Sequence, residues 1–290
     1  MVFRDILKFP SELLTQYLSE LIIFRKVSRF INLHFSPRKD VLVKVHNHRM
    51  YSNSLDRIFA LYLWKFSAME SFETKLLREL TKPGMTVFDI GANIGYYTLI
   101  LAGLVGENGK VYAFEPDPEN YRLLIKNIKA NNYNNIIPIQ RAVSDKTGKI
   151  KLFLSEEHKG NHKIYDSGEG RKSIEIESIA LDEFTKENKV NPDIMKMDIE
   201  GSEPMAFLGM KNLIKDNKDI KIISEFFPYA MRKCRNSNPP EEFISFLEDQ
   251  GFKVSIINEK ENKVDPITST SQFIINFCKG KKYISLYLEK

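Results

Sequence analysis

Cysteine is nearly absent: Cys234 and Cys278 are the only two in 290 residues. So wide a spacing excludes a disulfide framework and the close pairs of a zinc site, and it suits a reducing compartment in which both are inert thiols. Long apolar runs are also missing. Leu21–Phe24 falls far short of the about 20 residues that cross a bilayer, and no apolar run approaches that length. The opening MVFRDILKFP is interrupted by Arg4, Asp5, Lys8 and Pro10, so no secretory signal is expected and the expected location is cytoplasmic. Strong net charge is lacking as well. The formal charge is +5, and residues 1–50 hold nine Lys or Arg against four acids, which leaves the remainder balanced. A neutral body offers no electrostatic case for nucleic acid, whereas the basic leading segment suits either plain solvation or peripheral contact with an anionic membrane. What is present is 42% hydrophobic and 28% charged residues, enough to bury a core in one large α/β domain with an appendage or in two small domains.

Residues 11–35 read as an amphipathic helix. Leu13, Leu14, Tyr17, Leu18, Leu21 and Ile22 recur at helical spacing, Ser11 offers an N-cap, and Arg25, Lys26 and Arg29 fall toward the end that favours cations. Such a stripe either packs on the main domain or lies on a membrane surface. Val41, Val43 and Val45 alternate as a short strand, and 56–64 and 72–80 look helical. Residues 1–80 therefore read as an N-terminal helical extension or lid, with the main domain over 81–290.

From Thr81 strands alternate with helices, the pattern of a parallel sheet covered on both faces. The expected strands are Thr86–Ile90, Lys110–Glu115, Ile136–Ala142, Ile194–Asp198 and Ile220–Phe226. The expected helices are Tyr96–Leu104, Pro118–Asn131, Leu181–Glu187, Glu203–Ile214 and the stretch from Pro240 to Gln250. Phe252–Ile257 and Gln272–Phe277 suggest a closing antiparallel pair. Lys149–Leu154 and Ser173–Ile179 form a β-hairpin insertion, and the polar loop between them is a candidate flap over substrate.

VFDIGANIGYYT, residues 87–98, is the strongest motif: a buried strand, a tight glycine turn and a helix start, which aim backbone N–H groups at the carboxyl edge of the sheet. A dinucleotide fingerprint beginning at Gly91 needs glycine at positions 93 and 96, where Asn93 and Tyr96 stand, so a pyrophosphate is poorly served and S-adenosylmethionine fits better. Gly91 and Gly95 frame the turn, and Asn93 tolerates a left-handed backbone. The strand at KVYAFEPDP ends in Glu115, 24 residues after Gly91, close to the spacing at which a carboxylate grips a ribose diol. In KMDIEGSEP, residues 196–204, Lys196 and Asp198 share a strand face, and Glu200 and Glu203 follow. Glu225 ends the fifth strand on the same rim, and this acidic edge suits a cationic sulfonium.

DIGANIGYYT, FEPDPENYRLLIKNIKANN and IMKMDIEGSEPMAFLGM, taken in order, resemble the FkbM-type methyltransferases, a branch of the class I S-adenosylmethionine-dependent fold. The resemblance implies a Rossmann-like, mostly parallel seven-stranded sheet of order 3-2-1-4-5-7-6 with helices on both faces. It implies cofactor contacts from Asp89, Gly91, Ala92, Asn93 and Gly95, Glu115 with Pro116 at the ribose, and Ala142 and Val143 at the adenine.

The expected reaction is in-line methyl transfer to an acceptor hydroxyl on a sugar, glycan, glycolipid or natural product. Asp198 is the first candidate, as base or as ligand to a divalent cation, and Lys196, Glu200 and Glu225 come second. A metal is possible but not favoured, because an acid rim also suits a cation site without one. His158 and His162 on the flap read as bases or as solvated loop residues. His46 and His48, sharing a strand side, lack a third metal ligand and read as surface residues. The acceptor pocket is expected mostly from the N-terminal extension and the flap. Two rivals are a nicotinamide-dependent oxidoreductase and a non-catalytic, membrane-apposed binding module.

Overall fold

The computed structural model describes residues 40–53, 71–155, 160–234, 239–267, 273 and 283–290. The expected helices over 11–35 and 56–64, His158, Cys278 and nearly all of the expected strand over 272–277 lie outside the described residues. Among those described, no helix is long and apolar enough to cross a membrane.

The first described element is a hairpin of β1 (Asp40–Val45) and β2 (His48–Asn53). His46 occupies its turn with φ of 51°, so His46 and His48 do not share a strand side as expected. Each instead bonds a tyrosine, His46 Nε2 lying 3.1 Å from the Tyr96 hydroxyl and His48 Nε2 2.9 Å from that of Tyr133. Next comes α1 (Phe72–Leu80), whose N-cap Ser71 accepts from the Thr74 N–H.

Alternation then sets in with β3 (Thr86–Ile90), α2 (Tyr96–Val105), β4 (Lys110–Phe114), α3 (Pro118–Ala130) and β5 (Ile136–Ile139). Helix α2 is apolar almost all round and is correspondingly buried, with Leu99, Leu101 and Val105 inaccessible. Helix α3 starts where Pro118 follows Asp117, whose Oδ1 accepts from the Glu119 and Asn120 N–H groups at 3.1 and 2.9 Å. The hairpin docks on α3 through Asn127, which accepts from the Tyr51 N–H and donates to the carbonyls of Tyr51 and Ile94.

The expected strand Ile136–Ala142 is cut short. Ala142 and Val143 form β6 of a separate three-stranded sheet with β7 (Gly148–Phe153) and β8 (Ser173–Ile179), in the order β6-β8-β7. After α4 (Leu181–Asn188) and β9 (Ile194–Met197), the single helix expected over 203–214 is two, α5 (Glu203–Leu208) and α6 (Lys211–Asp216). The reason is Gly209: a Cβ there would sit 2.0 Å from the Ser144 carbonyl oxygen, so the chain is pinned against the insertion and the helix breaks. The remaining elements are β10 (Lys221–Phe226), α7 (Pro228–Met231), α8 (Pro240–Asp249), β11 (Lys253–Asn258), β12 (Lys263–Pro266) and β13 (Ile284–Glu289).

The main sheet runs β5-β4-β3-β9-β10-β13-β11-β12. Its first five strands are parallel and the other pairings antiparallel. Eight strands replace the seven expected because β12 adds an edge, and the strand beside β10 is β13, which lies beyond the segment expected at 272–277. In β13 the alternation is plain, with Leu286 and Leu288 facing one core layer and Tyr287 the other. β3 and β9 are buried on both faces, as central parallel strands must be. β4 lies on one side of β3 and β9 on the other, and the chain's reversal of direction there opens a crevice at the carboxyl ends of the strands.

Candidate functional site

The β3–α2 turn is shaped by its backbone and anchored by two side chains, Glu115 at the Asn93 N–H and Asn127 at the Ile94 carbonyl. Gly91, Asn93 and Gly95 have φ of 82°, 50° and 96°, and the N–H groups of Gly91 and Ala92 both donate to the Phe114 carbonyl at 3.0 and 2.9 Å. A Cβ on Gly91 would lie 2.0 Å from the Asp198 carbonyl oxygen, so only glycine lets the turn close against β9. Gly95 serves packing: its Cβ would meet Leu124 of α3 at 2.8 Å.

This turn orients two carboxyl groups. Glu115 accepts from the Asn93 N–H at 2.8 Å through one oxygen and from the Asp117 N–H at 2.9 Å through the other. Burial pushes its carboxyl up to about 8 despite those donors, and Asp117 adds to the rise. Asp89 accepts from the Thr98 hydroxyl, and burial lifts it to about 6. Beside Glu115 the wall turns apolar, with Pro116, Ala142 and Val143 joined by Leu152 and Ile164 of the insertion. The flap folds in here as well: His162 accepts from the Ser155 N–H at 2.9 Å and places Nε2 3.7 Å from Asp117 Oδ2, its side chain only 6% exposed. His162 is therefore packed into the site and is not a solvated loop residue.

The other end of the crevice is built from side chains. Lys196 on β9 is buried between Glu73 Oε1 at 3.4 Å and Asp198 Oδ2 at 3.7 Å, with its ammonium 5.0 Å from the Tyr97 ring centroid. Burial alone would depress this ammonium, but Glu73, Asp198, Asp89 and Glu225 overcome it and hold Lys196 above its usual range. Glu73 in turn accepts from the Ser285 hydroxyl, and Lys196 keeps it below its usual value against the pull of burial. Asp198 stands at the mouth, its side chain 47% exposed. Glu200 takes a left-handed backbone at φ of 57°, and burial, with Asp198 and Glu203 nearby, raises it to about 8. Glu225 is also raised, by burial first and then by Asp198, Glu203 and Glu200, and its Oε2 is shut off from solvent without a hydrogen-bond partner.

Asp89, Gly91, Ala92, Asn93, Glu115, Pro116, Ala142, Val143, Lys196, Asp198, Glu200 and Glu225 line one cleft of about 1680 Å³; Gly95 does not. That volume exceeds the roughly 300–1,000 Å³ of a single-ligand pocket and leaves room for a second molecule. Among the described residues no group of three His, Cys, Asp or Glu side chains is arranged to hold a metal ion. The flap reaches the cleft through Gly160, Asn161, His162 and Ile164. Hairpin β1–β2 does not line the cleft, whereas Ser71 and Glu73 of the early segment do, together with Phe227, Glu259, Tyr283 and Ser285 from the antiparallel edge. Sequence reading missed Glu73, Tyr97 and Ser285. Only the amphipathic placement of Glu73 on α1 was legible, because Ser285 is 212 positions from it.

A family profile described as the Methyltransferase FkbM domain matches residues 89–254, more than half of the chain. One for protein-L-isoaspartate O-methyltransferase matches residues 13–146. The hexuronic acid methyltransferase AglP of Haloferax volcanii is 29% identical over 143 residues, 49% of this chain and 56% of that protein. The tRNA(Phe) (4-demethylwyosine(37)-C(7)) aminocarboxypropyltransferase of Methanocaldococcus jannaschii is 33% identical over 122 residues, 41% and 47% of the two chains. The chain thus spans about half the length of these curated relatives. A solved structure of methyltransferase FkbM from Methylobacillus flagellatus is similar at 17% identity and a TM-score of 0.41, covering 80% of this chain and 55% of that one.

Proposed function

The chain belongs to the FkbM methyltransferase domain family, and from that premise we propose that it transfers a methyl group from S-adenosylmethionine to a hydroxyl of a sugar, glycan or related natural-product acceptor. The observation that carries this reading is the cleft: a backbone-built turn with a buried carboxyl for a ribose at one end, an exposed carboxylate beside a buried lysine at the other, and volume for two ligands. The turn fits the cofactor because its close approach to Asp198 leaves no room for a side chain, and because the Glu115 carboxyl is fixed by two N–H groups with lone pairs left for a diol. When bound, S-adenosylmethionine supplies an electrophilic methyl on a cationic sulfur.

In this reading the chain's own residues hold and orient. Glu115 takes the ribose hydroxyls, Ala142, Val143 and Pro116 face the adenine, and the Gly91–Gly95 turn with Asp89 receives the amino-acid end. Asp198 accepts the proton of the acceptor hydroxyl, its exposure giving the acceptor access to it. Lys196 fixes Asp198 by charge and balances Glu73, and Glu200 and Glu225 complete the rim. The finding that the relative AglP is named for a hexuronic acid supports a sugar-like acceptor.

The test is radiolabelled methyl transfer across sugar, glycolipid and small-hydroxyl acceptors, run with and without chelator. Asp198→Ala is expected to lower kcat about 10²–10⁴-fold, the usual worth of a positioned base, while S-adenosylhomocysteine binds as before. Unchanged turnover removes Asp198 from the mechanism.

A further inference from the structure

The acceptor end of the cleft carries a signature that the family match does not supply. Phe227 and Tyr283 both line it, their ring centroids 6.1 Å apart and the planes at 64°. Strand register explains the pairing: Phe226 lies opposite Ile284 in the β10–β13 ladder, so the next residue outward on each strand is aromatic. Tyr283 is 63% exposed, among the most accessible large hydrophobic residues described. An aromatic face open to a cleft is the surface on which the C–H face of a sugar ring is buried. Two register steps inward from the aromatic pair, on the same strand face, Glu225 opposes Ser285, and Glu225 Oε2 is shielded and unpartnered. A buried polar atom without a partner costs free energy that a ligand hydroxyl recovers.

The charges nearby set a further condition. Glu73, Asp198, Glu259 and Asp265 line this part of the cleft against Lys196 and Lys260, and Lys263 pairs with Asp265 at 3.1 Å. Lys196 is already committed to Glu73 and Asp198. A carboxylate on the acceptor would meet Asp198 and Glu259, and among the described residues that line the cleft the one buried cation, Lys196, is already taken.

Resting on the methyltransferase reading above, we propose that the lobe formed by Phe227, Tyr283 and Glu225 binds an uncharged sugar-like ring and rejects the corresponding uronate. The ring stacks on the exposed face of Tyr283 with Phe227 set edge-on beside it, and Glu225 bonds its hydroxyls. This separates the chain from a relative whose name records a hexuronic acid. The high proton affinity of Glu225 agrees, since a protonated carboxyl both donates to and accepts from neutral hydroxyls.

The experiment titrates the full chain, saturated with S-adenosylhomocysteine, with a panel of neutral methyl hexosides and their matched uronosides by ligand-observed NMR. The neutral glycosides are expected to bind about tenfold or more tightly than their uronosides, the sign like-charge rejection requires. Phe227→Ala with Tyr283→Ala is expected to weaken neutral glycosides about tenfold with S-adenosylhomocysteine affinity unchanged, and Phe227→Tyr with Tyr283→Phe restores binding if the aromatic faces carry it. Uronosides binding as tightly as their neutral partners overturns the proposal. So does an absence of glycoside binding by protein that takes S-adenosylhomocysteine normally, or an aromatic double variant that binds glycosides like the parent. Protein that fails to bind S-adenosylhomocysteine overturns the methyltransferase reading itself, and this inference with it.

Discussion

The two ends of the cleft are built by opposite means. At the glycine-turn end, proposed for the cofactor, backbone does the shaping: two positive-φ glycines, a left-handed asparagine and N–H groups fixed on Glu115 over a stretch of 25 residues from Gly91 to Glu115. At the Lys196 end, side chains from α1, β9, β10 and β13 meet, with partners such as Glu73 and Ser285 far apart in sequence. Backbone shape admits one ligand and tolerates little change. A side-chain assembly is retuned by single substitutions, which suits one cofactor serving many acceptors.

The sharpest way to break this contrast is at its hinge. Lys196→Met leaves Glu73 and Asp89 buried without their cation, and the loss is expected at about 3–5 kcal/mol of stability, read by urea unfolding. A loss under about 1 kcal/mol would show that the cluster is not organised around this lysine. Next in size, Gly91→Ala forces a Cβ against the Asp198 carbonyl at positive φ, costing about 1–3 kcal/mol in the turn and abolishing measurable cofactor binding by calorimetry. Gly84→Ala is the control: it shares the positive φ but meets nothing within 4 Å, so it is expected to cost stability through backbone strain while sparing binding.

A further expectation concerns pH dependence. Glu115 and Glu200 titrate near 8, Glu203 near 7 and Asp89 near 6 in the folded protein, against ordinary values of 4.5 for Glu and 3.8 for Asp. Between those values and 8 the folded chain holds protons that the unfolded chain has released. Their stabilisation is therefore full below about 4 and is lost as pH rises through 8. Melting temperature of the free protein should fall from pH 5 to pH 8.5, and Glu115→Gln should flatten part of that slope. A melting temperature that climbs over the same range would contradict the burial assigned to these carboxyls.

This division also explains what the sequence made legible. The β3–α2 turn, Glu115 and the Lys196–Asp198 pair each lie within a short segment, where residue type and strand alternation reveal them. β13 went unread because its evidence is register: ISLYLE becomes a strand through pairing with β10 and β11, more than 25 residues away in each case. Gly209, whose contact with Ser144 splits the helix expected over 203–214, shows the same limit, since nothing local in EPMAFLGMKNLI signals that approach. The Phe227–Tyr283 pair and the Glu73 partnership exist only once the sheet is closed.

The central claim, that the crevice beyond β3 and β4 takes an adenosyl cofactor with its ribose on Glu115, is tested most directly by calorimetric titration of wild type and Glu115→Ala with S-adenosylhomocysteine. The account predicts a single site in the wild type and at least about tenfold weaker binding in the variant, the worth of about two hydrogen bonds to the ribose diol. Equal affinity in both proteins, or no binding by the folded wild type, would contradict it.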